Sequence, residues 1–127
     1  VLSDFDISAY NNNMNECIFC QIIAGDIPAQ KIYETENIIV IKDINPHAPV
    51  HDLIIPKKHI LSLNELEEPE IAADILLSVK KVAEIENIDS TGYRLISNTG
   101  KNGGQLISHL HFHVLGGKNL GPKLVQG

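Results

Sequence analysis

Three histidines at alternate positions, His109, His111 and His113, are the residues of this chain best suited to chemistry. Side chains alternate faces along an extended segment. Leu110, Phe112 and Val114 therefore turn one way, into a core, and the three imidazoles turn the other way, ~7 Å between neighbours by strand geometry. A lone strand histidine is usually a bystander, but three in register point to acid–base or metal chemistry. Two chemistries use such a row. One is metal chelation with an open coordination position. The other is nucleotidyl transfer, in which one neutral imidazole attacks phosphorus and its neighbours donate to phosphate oxygens. Gly103-Gly104-Gln105, just upstream, favours the second, because glycine lets backbone N–H groups approach a phosphate closely.

Cys17 and Cys20 form a C-x-x-C pair, too small for a disulfide framework, and read as metal or redox chemistry. A thioredoxin-like pair wants a βαβ context, whereas Cys17 precedes every predicted strand. Asp43, read alone, is a turn-forming residue before Asn45-Pro46.

The elements that must position these groups follow from periodicity. Ile18, Phe19, Ile22 and Ile23 share one helical face within 17–24, and Gly25 and Pro28 stop that helix. Strand-like runs follow at 31–34, 38–41 and 53–55, the last closed by Pro56, with a loop at 45–49. Ser62 and Glu65 have capping-box spacing, while Pro69 suits the first turn of a long helix. Ile71, Ile75, Val79 and Val82 line one face of that helix over 69–87, with Asp74, Ser78 and Lys81 opposite. Asn87 and Gly92 bound its end. Strands are predicted at 93–97 and 109–115, the latter ended by Gly116-Gly117. Strands joined by short loops around one principal helix predict an α+β fold with a mostly antiparallel sheet.

Composition narrows the function. With 127 residues and 43% apolar content, the chain suits one packed domain. A net charge of −6, no basic stripe and few aromatics remove the footprint of a nucleic-acid surface. No apolar stretch approaches the ~18 residues of a membrane span, and no secretory signal is read at the N-terminus. A cytoplasmic location is expected. Residues 1–13 lack periodicity and precede the sole methionine, Met14. They are read as a non-native or flexible N-terminal extension to a single domain over 14–127.

The blocks then combine. His-x-His-x-His with apolar x is preceded by Gly-Gly-Gln and followed by Gly-Gly. Upstream stand Cys-Ile-Phe-Cys-Gln-Ile-Ile-Ala-Gly-Asp-Ile-Pro-Ala at 17–29, Asp-Ile-Asn-Pro at 43–46 and His-Asp-Leu-Ile-Ile-Pro-Lys-Lys-His-Ile at 51–60. Over roughly 14–122 the chain resembles the histidine triad (HIT) family, in its branch of small nucleoside phosphoramidate hydrolases.

The resemblance implies a HIT-like fold: a five-stranded antiparallel sheet with one long and one short helix, two sheets joining in a homodimer. It implies hydrolysis of purine nucleoside 5′-phosphoramidates or related nucleotide conjugates through a nucleotidyl–histidine intermediate at His111. His113 and the backbone near Gly104 and Gln105 would hold phosphate oxygens, His51 would support the triad, and Asn98 would help hold the phosphate or leaving group. Asp43 would anchor the ribose, and Ile18, Phe19, Ile27 and Ile44 would form the slot for the base. Cys17, Cys20, His59 and His109 would bind a structural zinc. Two other functions compete. One is a nucleotide-binding interaction protein with incidental hydrolysis, and the other is metal-dependent hydrolysis at the triad. One departure stands out: Leu106 follows Gly-Gly-Gln, where many such hydrolases carry a hydroxyl that helps the leaving group.

Overall fold

The computed structural model describes residues 16–125. The expectation for residues 1–13 lies outside them. The elements run α1 (Ile18–Ile23), β1 (Lys31–Glu34), β2 (Ile38–Lys42), β3 (Val50–Pro56), a 3₁₀ turn (Leu63–Glu65), α2 (Pro69–Ile85), β4 (Tyr93–Ile96) and β5 (Phe112–Gly116). The strands form one five-stranded sheet in the order β1-β2-β3-β5-β4, and every neighbouring pair is antiparallel. The expected sheet and its two helices, one long and one short, are present.

Both faces of the sheet are covered. Ile38, Val40, Ile54, Phe112 and Val114 pack with Ile71, Ile75, Val79 and Val82 of α2. Ile39, Ile41, Leu53 and Ile55 pack with Phe19 of α1 and with Ile107. This explains why β2 and the centre of β3 are unbroken apolar runs rather than alternating ones. Each fully buried isoleucine or leucine contributes on the order of 1.5–3 kcal/mol.

Helix α2 starts at Pro69, as its first-turn proline predicts. It stops two residues before the expected end. Asn87 takes a left-handed conformation with φ 59°, and the Ile88 N–H closes on the Ala83 carbonyl at 2.9 Å, so Asn87 plays the role glycine usually takes past a helix end. The Ser62/Glu65 spacing serves the 3₁₀ turn instead, where Ser62 Oγ accepts from the Asn64 N–H and donates to Glu65. Ser78 is a correction: it is buried, because it stands three residues from Ile75 and four from Val82 and so lies inside the apolar stripe.

The last strand is also shorter than predicted. Pairing with β3 begins at Ile54↔Phe112, and His109–His111 lie outside the ladder, with a bend at His109. The His109 ring accounts for this. Its Nε2 donates to the Pro56 carbonyl at 2.8 Å, while the Leu110 N–H turns to the Ile60 carbonyl. The expected alternation still holds, with Leu110, Phe112 and Val114 buried on the α2 side.

Candidate active site and thiol–imidazole cluster

All six histidines of the chain fall into two groups. His47, His51, His111 and His113 line an open cleft of about 170 Å³, together with Phe19, Asp43, Asn98, Gly104, Gln105 and Leu106 among others. His59 and His109 join the two cysteines beside it.

His111 is buried at the cleft wall. Its Nδ1 lies 2.7 Å from the His109 carbonyl oxygen, which can only accept, so Nδ1 carries the hydrogen and Nε2 holds a lone pair. Burial lowers the pKa of this imidazole, favouring the neutral form a nucleophile requires. Phe19 packs edge-on against the ring, centroids 5.0 Å apart.

A second set of tautomers follows from one backbone N–H. The His47 N–H donates to His51 Nδ1 at 3.0 Å. The His51 hydrogen therefore sits on Nε2, 2.9 Å from His113 Nδ1 and 3.3 Å from Asp43 Oδ2. His113 Nδ1 accepts, which leaves its own hydrogen on Nε2 as a donor. Burial, then the neighbouring His111 and His51, push His113 down to about 3, so it stays neutral and donates without carrying charge. Asp43, His51 and His113 have the spacing of a metal group, but the hydrogen on His51 Nε2 makes them a hydrogen-bond chain.

The other expected ligand contacts are placed as follows. Asp43 is indeed the turn-former, Oδ1 accepting from the Asn45 N–H at 2.8 Å, and it also lines the cleft. Asn98 Nδ2 donates to the Gly103 carbonyl. The Gln105 side chain is a brace, donating to the Leu61 and Ile107 carbonyls and accepting from the Gly100 N–H. The Gly104 and Gln105 N–H groups bond to the Lys101 and Gly100 carbonyls, so these two amides close the loop rather than point at a ligand. Of the four apolar residues expected at the base, Phe19 lines the cleft. Ile18 packs half-buried against the α1 core, Ile27 is half-buried, and Ile44 is 69% exposed. Leu53 and Ile107 supply apolar wall instead.

Gly103 is where the loop requires glycine, since a Cβ there would meet the Thr99 carbonyl oxygen at 2.3 Å. Gly103→Ala is expected to cost about 1–3 kcal/mol, as overpacking does, and to displace Asn98. Thermal denaturation alongside a nucleotide-binding titration checks this.

In the second group, Cys17 Sγ lies 3.3 Å from His109 Nδ1, Cys20 Sγ 3.2 Å from His59 Nδ1, and the two Nδ1 atoms 3.1 Å apart. Cys17 caps α1, its Sγ accepting from the Cys20 N–H. Both cysteines are free thiols. Burial and the adjacent Cys17 push the Cys20 thiol up to about 12. The four ligand atoms all lie within 4.8 Å of one another. Tetrahedral zinc would set their separations at ~3.3–3.8 Å, close to those present. His109 Nε2 is held by the Pro56 carbonyl, which leaves Nδ1 as a lone-pair ligand with the outer hydrogen bond such ligands need. The donor set therefore fits a divalent, thiophilic cation.

Sequence reasoning missed His47, which was read as part of a loop. The available signal was its position four residues before His51, in a connection that loops often use for function.

The HIT domain family model matches residues 24–120. The chain belongs to the HIT domain family. This HIT protein is 44% identical over 113 residues to the purine nucleoside phosphoramidase of Escherichia coli K12, covering 87% of this chain and 95% of that one. It is 43% identical over 105 residues to protein HitA of Neisseria gonorrhoeae, covering 81% and 97%. Among solved structures, a HIT family hydrolase from Clostridium thermocellum superposes with a TM-score of 0.85 at 49% identity, covering 89% of this chain and all of that one. Among the described residues of this HIT protein, no helix is long and apolar enough to cross a membrane.

Proposed function

We propose that this HIT protein is a cytoplasmic nucleotidyl hydrolase acting on purine nucleoside 5′-phosphoramidates or related nucleotide conjugates. The observation that carries the reading is the His111 imidazole: neutral, with Nδ1 fixed on the His109 carbonyl and Nε2 bare at the cleft. The phosphoramidase named among the relatives supports the same class.

His111 Nε2 attacks the α-phosphorus as the bond to the leaving group breaks. Water then takes the nucleotidyl group from His111, so one hard displacement becomes two easier ones. The His113 Nε2–H donates to non-bridging oxygens as charge builds there. The chain from the His47 N–H through His51 keeps that hydrogen aimed. Asp43 accepts from the ribose hydroxyls, and Phe19, Leu53 and Ile107 face the base. A zinc ion on Cys17, Cys20, His59 and His109 would tie α1 to the triad segment and supply structural rigidity.

A turnover assay tests this reading. It compares adenosine and guanosine phosphoramidates with dinucleoside polyphosphates, each with and without chelator. Phosphoramidate turnover that resists chelator is expected. Nucleotide binding without turnover would instead support an interaction protein.

The family likeness further supports a homodimer. β4 is an edge strand with Tyr93 and Leu95 exposed, and α2 shows Leu76 and Leu77 to solvent. Pairing of two such edges would join two sheets. Size-exclusion with light scattering is expected to give twice the 14.0 kDa chain mass at micromolar concentration; a clean monomer would contradict it.

A further inference from the structure

Five of the six histidine rings belong to the triad chain or to the thiol–imidazole cluster, and the ring of His47 is the sixth. It sits in the loop between β2 and β3, is exposed, lines the cleft, and stands edge-on to His51 with centroids 5.6 Å apart. Only its backbone N–H serves the tautomer chain. Among the described residues its ring has no hydrogen-bond partner.

An amine expelled from phosphorus needs a proton, and the cleft wall has few to give. The Asn98 amide donates to Gly103, and the Gln105 amide to Leu61 and Ile107. The His111 hydrogen is held by the His109 carbonyl and the His51 hydrogen by His113. His113 Nε2–H remains, but burial holds that ring neutral, so it offers a hydrogen bond rather than a proton. Leu106, also on the wall, offers nothing where a hydroxyl would. The titratable groups around His47 are Asp43 from the end of β2, His51 of β3 and His113 of β5.

We propose that His47 is a further catalytic residue, the proton donor to the leaving group. The proposal rests on the nucleotidyl-transfer reading. As His111 Nε2 bonds to phosphorus, the P–N bond breaks and its electron pair goes to the departing amine nitrogen, which takes a proton from the His47 imidazolium. In the second step the water oxygen bonds to phosphorus, one water proton passes to His47, and the electron pair of the breaking P–N bond returns to His111.

The test is His47→Gln, which keeps the backbone donor to His51 but cannot exchange protons. Two adenosine 5′-phosphoryl substrates are compared, one with an alkylamine leaving group and one with p-nitrophenolate, which departs without protonation. A general acid contributes typically ~10²–10⁴-fold. The variant is expected to lose kcat/KM on the amine by that range and far less on the nitrophenyl ester, moving their ratio at least about 100-fold. Equal losses on both substrates, or none on either, would overturn the proposal. A parent that turns over neither substrate would overturn the nucleotidyl-transfer reading, and this inference with it.

Discussion

His111→Ala is expected to abolish turnover on every nucleotidyl substrate while leaving nucleotide affinity within about threefold, a change under 1 kcal/mol. The asymmetry follows from where the groups stand. On the proposed reading, binding rests on Asp43, the apolar wall of Phe19, Leu53 and Ile107, and the His113 donor, side chains of the cleft other than His111. Chemistry rests on Nε2, and loss of a covalent nucleophile should exceed the ~10²–10⁴-fold typical of a general acid–base group. Truncation also leaves the buried His109 carbonyl without its partner, at about 1–3 kcal/mol of stability, less than the stability of a typical domain. His111→Asn should behave alike, since it can still donate to that carbonyl but supplies no comparable nucleophile. Isothermal titration with a mononucleotide, beside steady-state turnover, separates the two effects. A residual rate within about tenfold of the parent, below the general acid–base range, would show water attacking directly.

Metal removal is expected to produce the next largest effect, on stability rather than chemistry. Purified protein should carry about one zinc per chain. Stripping it leaves two thiols and two imidazoles packed against each other, with Cys20 held as a thiol by burial. That cluster is tolerable when neutral, so the domain should persist but melt roughly 10–20 °C lower, a loss of several kcal/mol. The affected region is the junction of α1 and the His109 segment, and the same shift should follow Cys20→Ser. Turnover at low temperature should survive, because His111 Nε2 faces the cleft and His113 is not a ligand. Calorimetry with metal analysis checks this. Metal well below one per chain in protein never exposed to chelator would leave the cluster as one buried and one half-buried thiol.

Much of this was legible in the sequence because periodicity and burial agree. The 3.6-residue stripe of α2 and the imidazole row at 109–113 each follow from one geometric rule. What escaped was set by tertiary partners. β5 starts late because the His109 ring occupies the Pro56 carbonyl, a contact across 53 residues. The glycine loop reads as a set of phosphate donors, yet the Gly104 and Gln105 N–H groups bond to the Lys101 and Gly100 carbonyls and close the loop. Asp52 is fully buried in β3. Burial and the nearby Glu86 push its carboxyl up to about 8, an effect of tertiary neighbours rather than of local sequence. His47 does lie in a loop, and its place at the cleft beside His51 shows only in the fold.

The central claim, a covalent nucleotidyl–His111 species, is tested most directly by rapid mixing with an adenosine 5′-phosphoramidate. The mixture is quenched in alkaline denaturant, which preserves phosphorus–nitrogen bonds, and the intact protein is weighed by mass spectrometry. The account predicts a transient mass gain of one nucleotidyl group, mapped to the peptide holding His111 and absent in His111→Asn. Steady turnover with no such species at any time point, or a modified residue other than His111, would contradict it.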